Sequence, residues 1–178
     1  MTDVSEQNTA ENIPLSIFNM FGNDDKKTEL PTLDKATKAA YLKRFAKVAI
    51  AEKEKYGIPA SLILANALHQ SFAGTRSAAL QANNHFGLPC SENWAGTTAT
   101  LDGACVRKYE NAWSSFRDHS LLLSSGKFGQ LKQFGNKDYK AWAKGLQKLG
   151  YPSVNSDYLA ADLVAIIETW GLARLDDL

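Results

Sequence analysis

The chain has 178 residues, of which 44% are hydrophobic and 22% charged, and its formal net charge is +1. That supplies apolar surface for one core and suggests one domain with a tail. The near-neutral charge gives no field to hold phosphates, which argues against nucleic acid as a partner, and no apolar run is long enough to cross a bilayer.

Residues 1–32 read as a flexible arm, rich in Asn, Asp, Glu and Thr and containing Pro14 and Pro31. Inside it, Leu15, Ile17, Phe18, Met20 and Phe21 crowd together. A solvated tail has no reason to hold five large apolar groups so closely. The patch either packs back onto the domain or docks on a protein partner. The opening MTDVSEQNTAENIP lacks the basic start and apolar stretch of a secretory signal. Three routes fit: a cytoplasmic protein, a mature form whose signal has been removed, or delivery by holin release or an injection apparatus.

Residues 33–178 form the expected domain. A first long helix is expected from about Asp34 to Lys55, with Asp34 as N-cap and Ala36, Ala39, Ala40, Phe45, Val48 and Ala49 on one face. Gly57 and Pro59 end it, and Pro59 suits the first turn of the next helix. That helix, about Pro59 to Phe72, is apolar on nearly every side and therefore buried. It ends in His69 and Gln70. A short helix is expected near Ser77 to Ala82. The segment from Leu88 to Tyr109 carries threonines around Asp102–Gly103 and reads as a β-hairpin or an irregular flap. Helices follow at about Ser115–Ser125, Gly129–Phe134, Asp138–Leu149 and Asp157–Trp170. In the late helices Tyr139, Trp142 and Trp170 read as core.

Cys90 and Cys105 match no zinc spacing, and three histidines are too few to suggest a metal centre. The pair reads either as two buried thiols or as one disulfide closing the hairpin, which loop entropy would make worth roughly 3 kcal/mol.

From Tyr56 to Cys90 the chain reads YGIPASLILANALHQSFAGTRSAALQANNHFGLPC. This resembles the glucosaminidase domain of glycoside hydrolase family 73, in which a buried helix ends in Glu-Ser, followed by small residues with Gly-Thr and then Asn-Asn-x-Phe-Gly. Here those positions hold Gln70-Ser71, Ala73-Gly74-Thr75 and Asn83-Asn84-His85-Phe86-Gly87. The resemblance continues through Arg107-Lys108-Tyr109, Ser115-Phe116-Arg117-Asp118-His119, Asp138 to Leu146, and Gly150-Tyr151. It covers about Tyr41 to Leu175. It implies a mainly α, lysozyme-like fold with a small β-hairpin flap. It also implies an enzyme that binds peptidoglycan glycan strands and cleaves the N-acetylglucosaminyl β-1,4 linkage, with no metal and no organic cofactor. Some members carry a cysteine pair where Cys90 and Cys105 stand.

Glycosidic cleavage needs a carboxylic acid that protonates the departing oxygen, and burial raises such an acid's pKa toward neutrality. The resemblance puts that acid at position 70, where this chain has glutamine. Gln70 can hydrogen-bond a sugar but cannot give up a proton, so a loss of ~10²–10⁴-fold in rate is implied. The glutamine is either natural or engineered. Phe72, Ala78, Trp113 and Ser114 also depart from the family pattern. The second catalytic group stays open among Asp102 or Glu92 on the flap, Tyr109, and the substrate's own acetamido group. Asn84, Phe86, Trp94 and His69 are candidate sugar contacts. Plainer readings stand beside these: His69 as a packed helix residue, Asn83 and Asn84 as turn and groove-wall residues, Tyr109 as hairpin core, Asp102 as a turn residue, and Arg117–Asp118 as an ion pair bracing helices. A non-enzymatic alternative is a wall-binding or structural component of a phage tail or contractile injection apparatus.

Overall fold

The computed structural model describes residues 33–153 and 155–178. The arm and its patch of Leu15, Ile17, Phe18, Met20 and Phe21 lie outside the described residues.

Helix α1 (Lys35–Tyr56) starts where the Asp34 carboxylate accepts the Thr37 N–H at 2.7 Å, and it stops at Gly57 in the left-handed region. Helix α2 (Ala60–Ser71) is buried at every position. Pro59 is its N-cap rather than a residue of its first turn, because its ψ of 128° is still extended. A short helix α3 (Ser77–Ala82) ends at Asn83, with φ 51°.

Strands β1 (Thr98–Leu101) and β2 (Ala104–Arg107) pair antiparallel, Thr98 opposite Arg107 and Leu101 opposite Ala104. Asp102 and Gly103 both have positive φ, 50° and 77°, which gives the turn twist that a two-residue hairpin favours. The other edge of β2 is covered by residues 88–90. Arg107 N–H donates to the Leu88 carbonyl at 3.0 Å, and Cys90 N–H to the Cys105 carbonyl at 3.2 Å. The Cys90–Cys105 disulfide joins the same two segments, with 5.5 Å between their Cα atoms.

Helix α4 (Ala112–Leu123) begins three residues before the expected Ser115, because Asn111 caps it and accepts the Ser114 N–H at 2.8 Å. A 3-10 segment, Gly126–Phe134, replaces the short helix expected from Gly129. Helix α5 (Tyr139–Lys148) is capped by Asp138, and helix α6 (Leu159–Trp170) follows a 3-10 turn, Ser156–Tyr158. A last 3-10 segment, Leu172–Asp177, closes the fold.

The result is mainly helical and lysozyme-like, with one hairpin flap. Helix α2 is its axis, packed by α1, α5, α6 and the last 3-10 segment. Leu42, Phe45, Leu62, Leu64, Leu68, Phe116, Trp142, Leu163 and Ile166 are fully or almost fully buried around it. Burying such side chains stabilises by about 1.5–3 kcal/mol each. Asp176 holds the start of α2: its carboxylate accepts the Ser61 N–H at 2.8 Å and the Ser61 hydroxyl at 2.6 Å. Among the described residues, no helix is long and apolar enough to cross a membrane.

Candidate active site

Position 70 lies in the last turn of α2. The chain leaves that turn through Phe72 and Ala73, both with left-handed φ (49° and 52°), and then Gly74 at 78°. Such conformations are strained for side-chain-bearing residues. Ser71 stitches the bend together: its hydroxyl donates to the Ala67 carbonyl at 2.6 Å and accepts the Gly74 N–H at 2.9 Å. Gly74 must be small as well as left-handed, since an added Cβ would stand 3.3 Å from the Tyr41 ring.

Gln70 is only 3% exposed, and its side chain meets polar groups. Gln70 Nε2 donates to Asn66 Oδ1 at 3.1 Å and to the Ser153 hydroxyl at 2.9 Å. Asn66, one turn earlier on α2, also lies 3.1 Å from His119 Nε2 on α4. His119 is fully buried, and that burial pushes its pKa down to about 3. Its ring stacks on Phe86 at 3.9 Å between centroids. Phe86 is fully buried, so it supports His119 and presents no face to a sugar. His69 turns the other way, with Nε2 at 3.5 Å from the buried Asp162 carboxylate. Asp162 in turn accepts the Asn155 side-chain N–H at 3.1 Å.

The flap contributes a second cluster. The Tyr109 hydroxyl donates to Asp118 Oδ2 at 2.5 Å, and Arg107 Nη1 donates to the same oxygen at 2.9 Å. Burial, then Asp118, push the Tyr109 hydroxyl far above the ordinary tyrosine range. Tyr109 therefore stays protonated near neutrality and donates its proton to the Asp118 carboxylate. Half-buried Trp94 sits edge-on to Tyr109 at 5.6 Å, and the Arg107 guanidinium lies 4.9 Å over its indole. Arg107 also donates to the Pro89 carbonyl at 3.0 Å and to the Ser91 hydroxyl at 3.2 Å, which ties the disulfide-closed loop to α4.

Tyr151 stands between the two clusters. Its ring is edge-on to His119 at 5.9 Å. Burial raises its hydroxyl pKa, while Asn66 and Arg107 pull it back and Asp118 adds to the rise.

The structure thus gathers Gln70 with Asn66, Ser153 and His119, and gathers Tyr109 with Trp94, Arg107 and Asp118. Asp102 and Glu92 are exposed, Asp102 at the hairpin tip with the positive φ its turn requires. Asn84 is 1% exposed; its Nδ2 donates to the Leu88 and Arg107 carbonyls at 3.0 and 2.9 Å, and its Oδ1 accepts the Leu88 N–H at 3.0 Å. Asn83 donates to the Tyr109 carbonyl at 3.0 Å. Both asparagines brace the flap against α3. The Arg117–Asp118 pair expected from sequence is corrected: Arg117 binds Glu52 of α1, and Asp118 binds Arg107 and Tyr109. Neighbours on a helix point about 100° apart and serve different partners. Sequence reasoning missed Asn66, His119, Ser153 and Asp162. The spacing of four between Asn66 and Gln70 was the available signal.

A cavity of about 350 Å³ lies behind the α2–α3 bend, lined by Tyr41, Arg44, Gly74, Asn83, His85 and Glu110 among others, but not by Gln70 or Tyr109. Among the described residues, no three His, Cys, Asp or Glu side chains gather as a metal site.

Comparison with known proteins points one way. The glucosaminidase family model, described as mannosyl-glycoprotein endo-beta-N-acetylglucosaminidase, matches residues 46–172. The exo-glucosaminidase LytG of Bacillus subtilis is 31% identical over 142 residues, covering 70% of this chain and 48% of the relative, so the chain spans about half the length of that protein. Among solved structures, an N-acetylmuramoyl-L-alanine amidase from Staphylococcus aureus superposes with a TM-score of 0.66 at 27% identity, covering 82% of this chain and 44% of that one. The glycoside hydrolase domain of Salmonella typhimurium FlgJ superposes with a TM-score of 0.57 at 25% identity, covering 74% of this chain and 95% of that one. With the family model spanning most of the chain, from the middle of α1 to the end of α6, this chain belongs to the glucosaminidase family.

Proposed function

We propose that the chain is the glucosaminidase domain of a peptidoglycan hydrolase, that it binds cell-wall glycan strands, and that Gln70 occupies the position of the acid catalyst. Its framework is built to cleave the N-acetylglucosaminyl β-1,4 linkage. The observation that carries the reading is the setting of Gln70: it lies at the end of a wholly buried helix, among polar groups, with Tyr151 between it and the flap's Tyr109–Asp118 pair. A carboxyl in that setting would have its pKa raised by burial, which suits proton delivery to a departing sugar oxygen. To reach it, a glycosidic oxygen must meet the small part of the side chain left exposed. Glutamine keeps the shape and loses the proton, so the present chain binds glycan and cuts it slowly or not at all.

The test mixes purified cell walls with the chain and with its Gln70→Glu variant. The variant is expected to release reducing sugar at least ~10²-fold faster. Wall sedimentation without cleavage by either form would favour a non-catalytic binding module. Neither cleavage nor sedimentation would overturn the glycan reading. Product analysis separates internal from terminal cleavage.

A further inference from the structure

We infer that Asn66 and Ser153 are positioning residues: together they form a two-donor seat for a side-chain oxygen at position 70, and His119 fixes which way the Asn66 amide points. The inference rests on the reading of position 70 as the acid position and deepens it.

His119 is fully buried and neutral, so its ring carries one proton. Its Nε2 is 3.1 Å from the Asn66 amide, while its Nδ1 has no hydrogen-bond partner among the described residues. If Asn66 Nδ2 donated to Nε2, the ring proton would sit on Nδ1 as a buried, unpaired N–H. An unpaired buried donor is costly; a bare ring lone pair is less so. The better arrangement has the Nε2 proton donated to Asn66 Oδ1. A carboxamide's oxygen and nitrogen are alike in shape, so hydrogen bonding decides which points where. With Oδ1 facing His119, Asn66 Nδ2 faces position 70 as a donor, and Gln70 meets it with Oε1.

Ser153 can serve the same arrangement. Its hydroxyl lies 2.9 Å from Gln70 and its oxygen accepts the Asn155 N–H at 3.4 Å, and because a hydroxyl proton rotates to suit its partner it can turn to donate to an oxygen at position 70. Position 70 then receives two donors, one from its own helix and one from the loop after Tyr151. A glutamine fills this seat with its oxygen. A carboxylate, which only accepts, fills it better. The seat would also hold the carboxyl's pKa down against the rise that burial imposes, so that the group ionises near neutrality instead of staying permanently protonated.

Two measurements on the full chain test this. Long-range ¹H–¹⁵N NMR of the imidazoles should find His119 protonated at Nε2 and bare at Nδ1; a ring protonated at Nδ1 overturns the seat. In the chain carrying Gln70→Glu, the new carboxyl is titrated by ¹³C NMR. Adding Ser153→Ala should raise its apparent pKa by about one pH unit, and Ser153→Thr should bring it back. An unchanged titration also overturns the seat. Neither readout needs activity. If both hold and Gln70→Glu still cuts no wall, the seat is supported and the hydrolase reading alone fails.

Discussion

Glu52 is fully buried on α1, and Arg117 closes on it through Nε and Nη2 at 2.9–3.1 Å, with its guanidinium also 4.6 Å over the Trp113 ring. Taking away one member of such a pair strands a charge in the interior. Arg117→Ala should therefore lower the unfolding free energy by about 3 kcal/mol in urea titrations, the low end of the usual range because the Arg117 side chain keeps 25% exposure. Lys140→Ala, which breaks an ion pair exposed on both sides, should leave the midpoint unchanged. At this scale the sequence was legible where a residue's role follows from its own chain neighbourhood. Gln70 stood out because its motif surrounds it, and Asp34 because capping is local. Ser153 and His119 were not legible, because each meets Gln70's surroundings only after the chain has folded back over many residues. Arg117 misled for the same reason: adjacency in sequence suggested Asp118, and the fold supplied Glu52.

Among the elements, the flap is the least self-sufficient. It has two four-residue strands with no buried residue, and its anchors come from elsewhere: Asn83 and Asn84 below it, Asp118 behind it and the disulfide at its edge. A two-stranded hairpin is marginal alone. Cys105→Ser should cost roughly 3 kcal/mol if chain entropy governs, given the separation of 15 residues. Hydrogen exchange should rise first at residues 88–107 and leave α2 protected. Uniform loss of protection would contradict the picture of a separately held flap. The turn was readable from Asp102–Gly103, since that pair favours the left-handed φ values it adopts. The third segment against β2 was not, because Leu88 to Cys90 show no strand alternation and their pairing to β2 runs through backbone hydrogen bonds and the Cys90–Cys105 disulfide.

At the scale of the whole molecule, His85, His119 and Asp176 are buried groups among the described residues whose displaced pKa values shape the response to pH. Burial, with Arg44 nearby, lowers the His85 pKa to about 4, and burial lowers that of His119 to about 3. Below pH 6.5 the unfolded chain gains protons that these rings refuse, so their stability contribution is lost as pH falls toward those values. Asp176 works in the opposite sense. Burial raises it to about 6 against the pull of Ser61 and Lys53, so its contribution is complete below pH 3.8 and is lost as pH rises through 6. Two groups outweigh one. Unfolding free energy should rise by about 1 kcal/mol per pH unit between roughly pH 4 and 6. Asp176→Asn should steepen that slope, and a shallower slope in urea titrations would contradict the assignment.

Asp176 has a mechanical consequence as well. Lys53 Nζ donates to its backbone carbonyl at 2.8 Å, and its carboxylate caps the first turn of the helix whose other end carries Gln70. Leu178 and Asp177 are exposed, whereas Asp176 and Leu175 are buried. A substitution that empties the Asp176 position would unseat the far end of the helix that carries Gln70, so a change in the last 3-10 segment is felt at position 70 from the opposite side of the core.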